Sequence, residues 1–207
     1  EFPHDFPRPT KLSAKRVCAK VALSAEVMRG LHDICMERDC SVSQVLLALW
    51  SLVLCRHAGQ DEVVIGAPID GQSNGKQPDD NSQQATMRTP SGVLALLISA
   101  PRYSSFISLL KTVKDTMTEA AAHAIAFNRI TDEFFPQAAE DVSRHPIFQA
   151  AISWGDAGRM ARICAACDVN FHASLVPDVG KFEGIISFCS DLVTEGTVKR
   201  LSEHFEQ

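Results

Sequence analysis

The strongest constraint in the sequence is the run 45–54, VLLALWSLVL, in which only Ser51 is polar. A helix that is apolar nearly all round needs cover on several sides, so this run predicts a helix inside a core. It is too short to cross a bilayer, which takes about 20 apolar residues. Ser41, with Gln44 three residues later, fits a capping box at the start of the helix, and Gly59 fits a left-handed cap at its end.

Directly after this helix, residues 63–68 form the β-branched run VVIGAP, which ends in a proline and predicts an interior strand. Other apolar runs predict strands over 17–23, 93–98, 146–154, 169–175 and 184–188. Apolar residues at helical spacing predict helices from Ser24 to about Arg38, from Ser104 or Ser105 onward, and from Thr194 onward. Interleaved strands and helices indicate an α/β fold: a single domain over 1–207, with a mixed sheet and helices packed chiefly on one face.

Composition and charge narrow the classes of protein. Apolar residues make up 45% of the chain and charged residues 22%, which is ordinary for a globular domain. A net charge of −5 gives no electrostatic reason to expect nucleic acid or a membrane as partner. Seven scattered cysteines, mostly in apolar runs, favour reduced thiols and a cytoplasmic location. There is no secretory signal, and because the chain does not begin with Met we expect a piece of a longer protein.

Four segments follow one another in a distinctive order: FPHDFPRP at 2–9, GQDEVVIGAPIDGQSN at 59–74, EDVSRHPIFQ at 140–149, and the strand-to-helix stretch 191–205. Each resembles a segment of the condensation domains of nonribosomal peptide synthetases, where "IGxPxxGR"-like and "RDxSRNPLFQ" motifs stand second and third. The resemblance implies the C-terminal lobe of such a domain, one half of a chloramphenicol-acetyltransferase-like fold, with 1–12 as an extended link between lobes. Its structural motif residues here are Gln60, Asp61, Gly66, Pro68, Ser143, Pro146 and Gln149.

The sequence also departs from the family pattern. The family's catalytic motif, His-His-x-x-x-Asp-Gly, belongs to the N-terminal lobe, and no His-His pair occurs among the seven histidines here. The polar stretch 71–91, expected to be a mobile surface loop, leads in the family into "IGxFVNT", which is not recognisable at 83–92. Where the family has "HQDxPFE", residues 123–128 read HAIAFN. We therefore expect no catalytic residue in this chain.

Three residues are candidates for contact with a substrate channel or a carrier protein. His123 fits best a histidine at a helix C-terminus, and the alternative is a neutral imidazole that handles protons near a channel. Arg144 fits a carrier or substrate contact, or a structural clamp on main-chain carbonyls or on Asp141. His145 follows it within the same motif.

No metal site is predicted. Cys164, Cys167, His172 and Cys189 could together form a zinc site, but a single CxxC without a second pair at finger spacing is a weak signal. The sequence also has no Gly-x-Ser-x-Gly elbow, phosphate-cradling loop or dinucleotide fingerprint.

By resemblance, the intact domain transfers an acyl or peptidyl group from a thioester on a donor carrier protein to the amine of an aminoacyl group on an acceptor carrier protein. The implied partners are the N-terminal lobe, both carrier proteins and the adjacent synthetase domains. No cofactor is bound directly, but the phosphopantetheine arms of the carriers enter a channel. Without the histidine-bearing lobe, the chain alone is expected to be inactive.

Two other interpretations stay open. The changes at 83–92 and 123–128 favour a degenerate condensation-like module, for example at the end of a fungal polyketide synthase, that serves as a docking or product-release platform. A free-standing acyl-CoA acyltransferase of the same fold would also need the missing histidine. A face shaped to meet a missing lobe would expose apolar surface, so self-association of this chain is a further hypothesis.

Overall fold

The computed structural model describes residues 2–68, 93–125, 127–135, 141, 143–154, 166–176 and 181–206. The strands are β1 (Arg16–Leu23), β2 (Glu62–Pro68), β3 (Val93–Ser99), β4 (Ala150–Trp154), β5 (Val169–Val176) and β6 (Lys181–Cys189). The helices are α1 (Ala25–Arg38), α2 (Val42–Ala58), α3 (Phe106–Ala122), α4 (Phe127–Phe134) and α5 (Glu195–Glu206). The stretch 71–91 and Cys164 lie outside the described residues, as does 177–180, where the sequence PDVG predicts a hairpin turn between the strands expected at 169–175 and 184–188.

The strands form one mixed sheet in the order β1-β6-β5-β4-β2-β3. The three central strands β5, β4 and β2 are parallel, and the pairs toward both edges are antiparallel. One face of the sheet is buried under α1, α2, α3 and α5 through alternate apolar side chains such as Val21, Ile65, Ile98, Phe171 and Ile186. The predicted α/β fold, with a mixed sheet and helices chiefly on one face, is confirmed.

Helix α2 lies at the centre of this core, as its sequence predicts. Trp50 is fully buried, with its ring centroid 5.3 Å from that of Phe171 on β5. The capping box is confirmed: the Gln44 N–H donates to Ser41 Oγ at 3.2 Å, and the Ser41 N–H donates to Gln44 Oε1 at 2.9 Å. Gly59 ends the helix in the left-handed conformation at φ 65°.

None of α1, α2, α3 and α5 packs on the opposite side of the sheet, which we call the open face. Its side chains include Leu97 on β3 and Ile185 on β6, which are 56% and 43% exposed. His172 Nδ1 and Ser153 Oγ lie 2.9 Å apart on neighbouring strands of this face. A small second apolar cluster around Phe148 covers the part of the open face formed by β2 and β4.

The strand predicted over 146–154 is wrong in its first half, because β4 begins only at Ala150. The main-chain N–H groups of Ile147 and Phe148 donate to His145 Nδ1 at 3.4 and 3.3 Å, and Gln149 Nε2 donates to the His145 carbonyl at 2.7 Å. These bonds fold the segment into a turn and use main-chain groups that a strand would pair. In contrast, β6 is longer than predicted, because it pairs along its length with both β1 and β5.

Two negative findings concern the described residues only. No single helix there is long and apolar enough to span a membrane, and only α1 and α2 together, bent by 109° where they join, reach the required length and composition. No disulfide joins the cysteines that the structure describes.

Candidate functional site

The N-terminal segment meets the 143–149 motif at the end of the sheet where the central strands β4 and β5 begin. The contact centres on Asp168, whose side chain is 1% exposed. Arg8 Nη1 donates to Asp168 Oδ1 at 3.0 Å and to the Ser143 carbonyl at 2.6 Å, and Arg8 Nη2 donates to Asp168 Oδ2. His4 Nε2 lies 3.2 Å from the same Oδ2. We call His4, Arg8, Ser143 and Asp168 the anchor.

The electrostatics of the anchor keep Asp168 charged although it is buried. Burial acts to raise the pKa of this carboxyl, but hydrogen bonds from His4 and Arg8, together with the charge of Arg8, outweigh burial and lower the pKa below its ordinary value. Arg16 adds a bond to the Cys167 carbonyl at 2.7 Å. Because a two-pronged arginine–carboxylate pair fixes direction as well as distance, the anchor sets the path of the N-terminal segment.

The same segment is held at two further points. Asp5 Oδ2 accepts from the Thr194 N–H and from Thr197 Oγ1, both at 2.7 Å, at the start of α5. Asp191 accepts from the N–H and the hydroxyl of Ser13 at 2.5 and 2.9 Å. These hydrogen bonds lower the pKa of both Asp5 and Asp191. Residues 2–15 therefore contain no helix or strand and run along the end of the sheet where β5 begins and β6 ends, held there at three places.

The 59–74 and 140–149 motifs contact each other through Gly66 and Phe148. A Cβ built on Gly66 would lie 2.3 Å from the Phe148 ring, far inside van der Waals contact. Phe148 is 2% exposed and stacks on His145, with ring centroids 4.1 Å apart. The glycine of the first motif therefore makes room for the aromatic ring of the second.

The other motif residues close the turns around this contact. The Gln60 N–H donates to the Cys55 carbonyl at 3.0 Å at the end of α2, and the Asp61 carbonyl accepts from the Ala100 N–H at 2.7 Å. Pro68 ends β2, and Pro146 lies in the turn before β4. Each of these positions is explained by packing or main-chain pairing.

The predicted contact residues lie in different surroundings, since Arg144 and His123 are exposed and His145 is buried. Arg144 is exposed and its Nε lies 3.2 Å from Asp141 Oδ2, as expected for the clamp on Asp141. Asp141 also accepts from the Ser143 hydroxyl and N–H, which lowers the pKa of its carboxyl. His123 is exposed at the end of α3, the position of a helix C-terminal histidine. Contact of Arg144 or His123 with a substrate or carrier stays a prediction.

His145 is buried, and the structure gives it a positioning role. Burial lowers the pKa of its imidazole to about 4, so the ring is neutral at pH 7. Its Nδ1 accepts from the main-chain N–H groups of Ile147 and Phe148. A neutral ring fixed in this way shapes the turn that leads into β4. Contact of His145 with a channel or carrier likewise stays a prediction.

A cavity of about 250 Å³ opens beside the two motifs, between the end of α2 and the beginning of β2. Its lining includes Phe2, Cys55, Gln60, Val64, Phe148 and Gln149. Among the described residues that line it, none is a histidine, and the mainly apolar walls carry two amide side chains, Gln60 and Gln149, and one carboxylate, Glu62. The cavity therefore offers shape and apolar surface but no imidazole for acid–base chemistry.

The residues considered for zinc face different ways. Cys167 Sγ points to the Phe148 carbonyl, Cys189 Sγ to the Ser13 carbonyl, and His172 Nδ1 to Ser153. No group of three metal-ligating side chains occurs among the residues that the structure describes.

The sequence does not predict the anchor, although Ser143 belongs to one of the family motifs. Arg8 and Asp168 are 160 residues apart, and nothing local to either predicts that they pair. The only signal in the sequence is Asp168 itself, which lies between the buried residues Cys167 and Val169. A charged side chain in an apolar run is rarely buried without a partner.

Two solved structures show where else this fold occurs. A four-domain nonribosomal peptide synthetase bound to AMP and glycine matches 99% of this chain over 17% of its own length, with a TM-score of 0.78 at 15% identity. The condensation domain of the monacolin K polyketide synthase MokA matches 97% of this chain over 47% of its own, with a TM-score of 0.73 at 17% identity. These likenesses show that the chain shares its fold with those proteins.

The sequence itself identifies the family. The family model for the condensation domain matches residues 1–162, and this chain therefore belongs to that family. Tyrocidine synthase 3 of Brevibacillus parabrevis is 29% identical over 219 residues, which cover 100% of this chain and 3% of that protein. The chain thus spans a small part of its multidomain relatives.

Proposed function

We propose that this chain is the C-terminal lobe of a condensation domain that forms amide bonds between a donor thioester and an acceptor amine held on carrier proteins. The proposal rests on the open face of the sheet, where Leu97 and Ile185 are exposed. The position of the N-terminal segment, which is anchored where β4 and β5 begin, agrees with it. In this proposal the preceding lobe covers the open face, and residues 2–15 connect the two lobes. The channel for the phosphopantetheine arms then lies between them.

The chemistry divides between the lobes in a definite way. Amide formation needs an un-ionised amine close to the thioester carbonyl and an imidazole that manages the proton. In this chain His4 contacts Asp168, and His145 accepts main-chain bonds. We therefore assign the catalytic imidazole to the N-terminal lobe and assign to this chain one wall of the channel, with Arg144 and His123 as candidate contacts of carriers that meet it in the cytoplasm.

The test is complementation. We expect that this chain, mixed with the separately expressed upstream lobe and the two loaded carrier proteins, yields an amide product detectable by mass spectrometry. Each half alone should give only background, because neither encloses the channel. A variant of the upstream lobe with its second motif histidine replaced by alanine is the matched control and should abolish product. Full activity of the upstream lobe without this chain would contradict the proposal.

The second candidate function is the degenerate docking or product-release platform. It is favoured by the altered residues at 83–92 and 123–128, where the family's aromatic, Asn-Thr and acidic positions are replaced. The same experiment separates the two candidates. If the two lobes associate but no amide forms from any loaded carrier pair, the platform is the better account.

A further inference from the structure

The cavity between the end of α2 and the beginning of β2 has an exposed rim and a buried interior. Gln60, Glu62 and Leu97 on its rim are exposed, whereas Cys55 and Phe148 on its walls are buried. Its volume of about 250 Å³ is below the range of about 300 to 1,000 Å³ that is usual for pockets holding drug-sized ligands. The cavity therefore fits a smaller molecule, such as one aromatic ring with a short side chain.

On the wall of the cavity one hydrogen-bond acceptor has no partner. The amide of Gln149 is held at one end, because its Nε2 donates to the His145 carbonyl at 2.7 Å. The other end, Oε1, is buried and accepts no hydrogen bond from the residues that the structure describes. Buried polar atoms are nearly always paired, so an unpaired acceptor on a cavity wall is a place for a donor from a ligand.

The charge at the rim of the cavity is negative. Glu62 is exposed and has no ion-pair partner in the described part of the chain. The nearest arginine or lysine in the sequence, Arg56, instead donates to the carbonyls of Ala100 and Pro101 at 3.3 and 3.2 Å. No lysine, arginine or histidine is among the described residues that line the cavity. The site therefore offers a ligand acceptors and one negative charge, without a cation.

The thiol of Cys55, on the cavity wall, is affected by this negative charge. Burial is the main cause that raises the pKa of Cys55 to about 11. The charge of Arg56 acts in the opposite direction, and the charges of Asp61 and Glu62 act in the same direction as burial. The carboxylates at the rim therefore act on groups inside the cavity, where they favour a cation over an anion.

We propose that the cavity binds a small primary amine with an apolar body, of the arylalkylamine class. The apolar body packs against Leu54 and Phe148, and the ammonium group donates to Gln149 Oε1, with the Glu62 carboxylate as its counter-charge. An ammonium group has donors only and therefore matches a site that offers acceptors, whereas a carboxylate ligand has acceptors only. The site needs neither the preceding lobe nor a carrier protein, so it does not depend on the function proposed above.

Titration of the isotope-labelled chain with two probes, followed by amide NMR, tests the site. Phenethylamine and hydrocinnamate have similar apolar bodies, but the first carries an ammonium group and the second a carboxylate. We expect phenethylamine to shift the resonances of residues 60–64 with a millimolar Kd. Hydrocinnamate should bind about tenfold or more weakly, because like charges placed together are costly. Equal affinities for the two probes, or no shifts with millimolar phenethylamine, would overturn the proposal.

Matched variants locate the site. Ala58 is half-buried on the cavity wall, so Ala58→Leu should fill the cavity and abolish binding, whereas Ala121→Leu, exposed at the end of α3, should bind phenethylamine as the wild type does. Glu62→Gln should weaken binding by about fivefold, the upper end for an exposed charge pair, and Glu37→Gln on α1 should not. The comparison of the two probes on the wild type stands even if a variant fails to fold. If Ala58→Leu binds the amine as the wild type does, or the two glutamine variants bind it equally, the proposed site is wrong.

Discussion

Replacement of Arg8 by methionine is expected to lower the free energy of unfolding by about 3 to 5 kcal/mol at pH 7, the usual cost of removing one partner of a buried ion pair. Methionine keeps an apolar stem of similar length but removes both bonds to Asp168 and the bond to the Ser143 carbonyl. Asp168 would then be a buried charge with His4 as its remaining side-chain contact. Urea unfolding followed by fluorescence and circular dichroism measures the change.

The pH dependence of this loss has a defined sign. In the wild type the pKa of Asp168 is lowered, so its stabilising contribution is present above its unfolded pKa, ordinarily about 3.9, and is lost as pH falls through the lower folded value. Without Arg8, burial raises the pKa of Asp168, so its carboxyl takes up a proton as the pH falls. Protonation then removes the free-energy cost of burying an unpaired negative charge. The stability gap between wild type and Arg8→Met should therefore narrow as pH falls from 7 toward 4.

Arg144→Met is the matched control, because it also removes an arginine from an arginine–aspartate pair. Both side chains of that pair are about half exposed, at 45% and 51% for Arg144 and Asp141. Exposed pairs contribute about 0 to 1 kcal/mol, so this variant should unfold nearly as the wild type does. If both variants lose the same free energy of unfolding, Asp168 is not a buried charge that depends on Arg8. The same conclusion follows if the stability difference between wild type and Arg8→Met grows as the pH falls.

The second large effect is expected from Phe148→Ala, which should cost about 3 to 5 kcal/mol because it leaves a cavity where a buried ring was. Gly66→Val alone should cost about 1 to 3 kcal/mol, since its branched side chain would collide with that ring. The double variant should be more stable than Phe148→Ala alone, because valine fills the space that phenylalanine left. Thermal and urea unfolding of the four proteins give the coupling energy.

Phe182 provides the control for this coupling. It is as buried as Phe148, at 2% exposed, but lies in the helix-side core. Combining Phe182→Ala with Gly66→Val should give the sum of the two separate losses. Equal rescue of both alanine variants would mean that valine stabilises β2 by itself, and the proposed contact between the two motifs would be wrong.

What the sequence predicts well is what depends on neighbours in the chain. The capping box of Ser41 and Gln44, the left-handed Gly59 and the buried helix between them follow from local rules, and the structure has all three. The α/β class follows from alternating patterns for the same reason. Strand length depends less on neighbours in the chain, so β6 extends beyond its apolar run to match both of its partners, β1 and β5.

The candidate site is harder to predict from the sequence than the helices are, because several of its contacts join residues that are far apart in the chain. The turn at 146–149 reads as a strand until the imidazole of His145 is seen to accept main-chain bonds. The Arg8–Asp168 pair has no local signature at all. The resemblance to condensation domains locates the motifs, but it does not show that Gly66 lies directly against the ring of Phe148.

If the open face receives the preceding lobe, the affinity of the upstream lobe for this chain depends on the side chains of that face. Isothermal titration should show binding to the wild type that Ile185→Asp weakens by about tenfold or more, because it buries an unpaired charge on that face. Met36→Asp, on α1 and 73% exposed, should bind as the wild type does. If both variants bind like the wild type, or only Met36→Asp binds more weakly, the open face is not where the lobes meet.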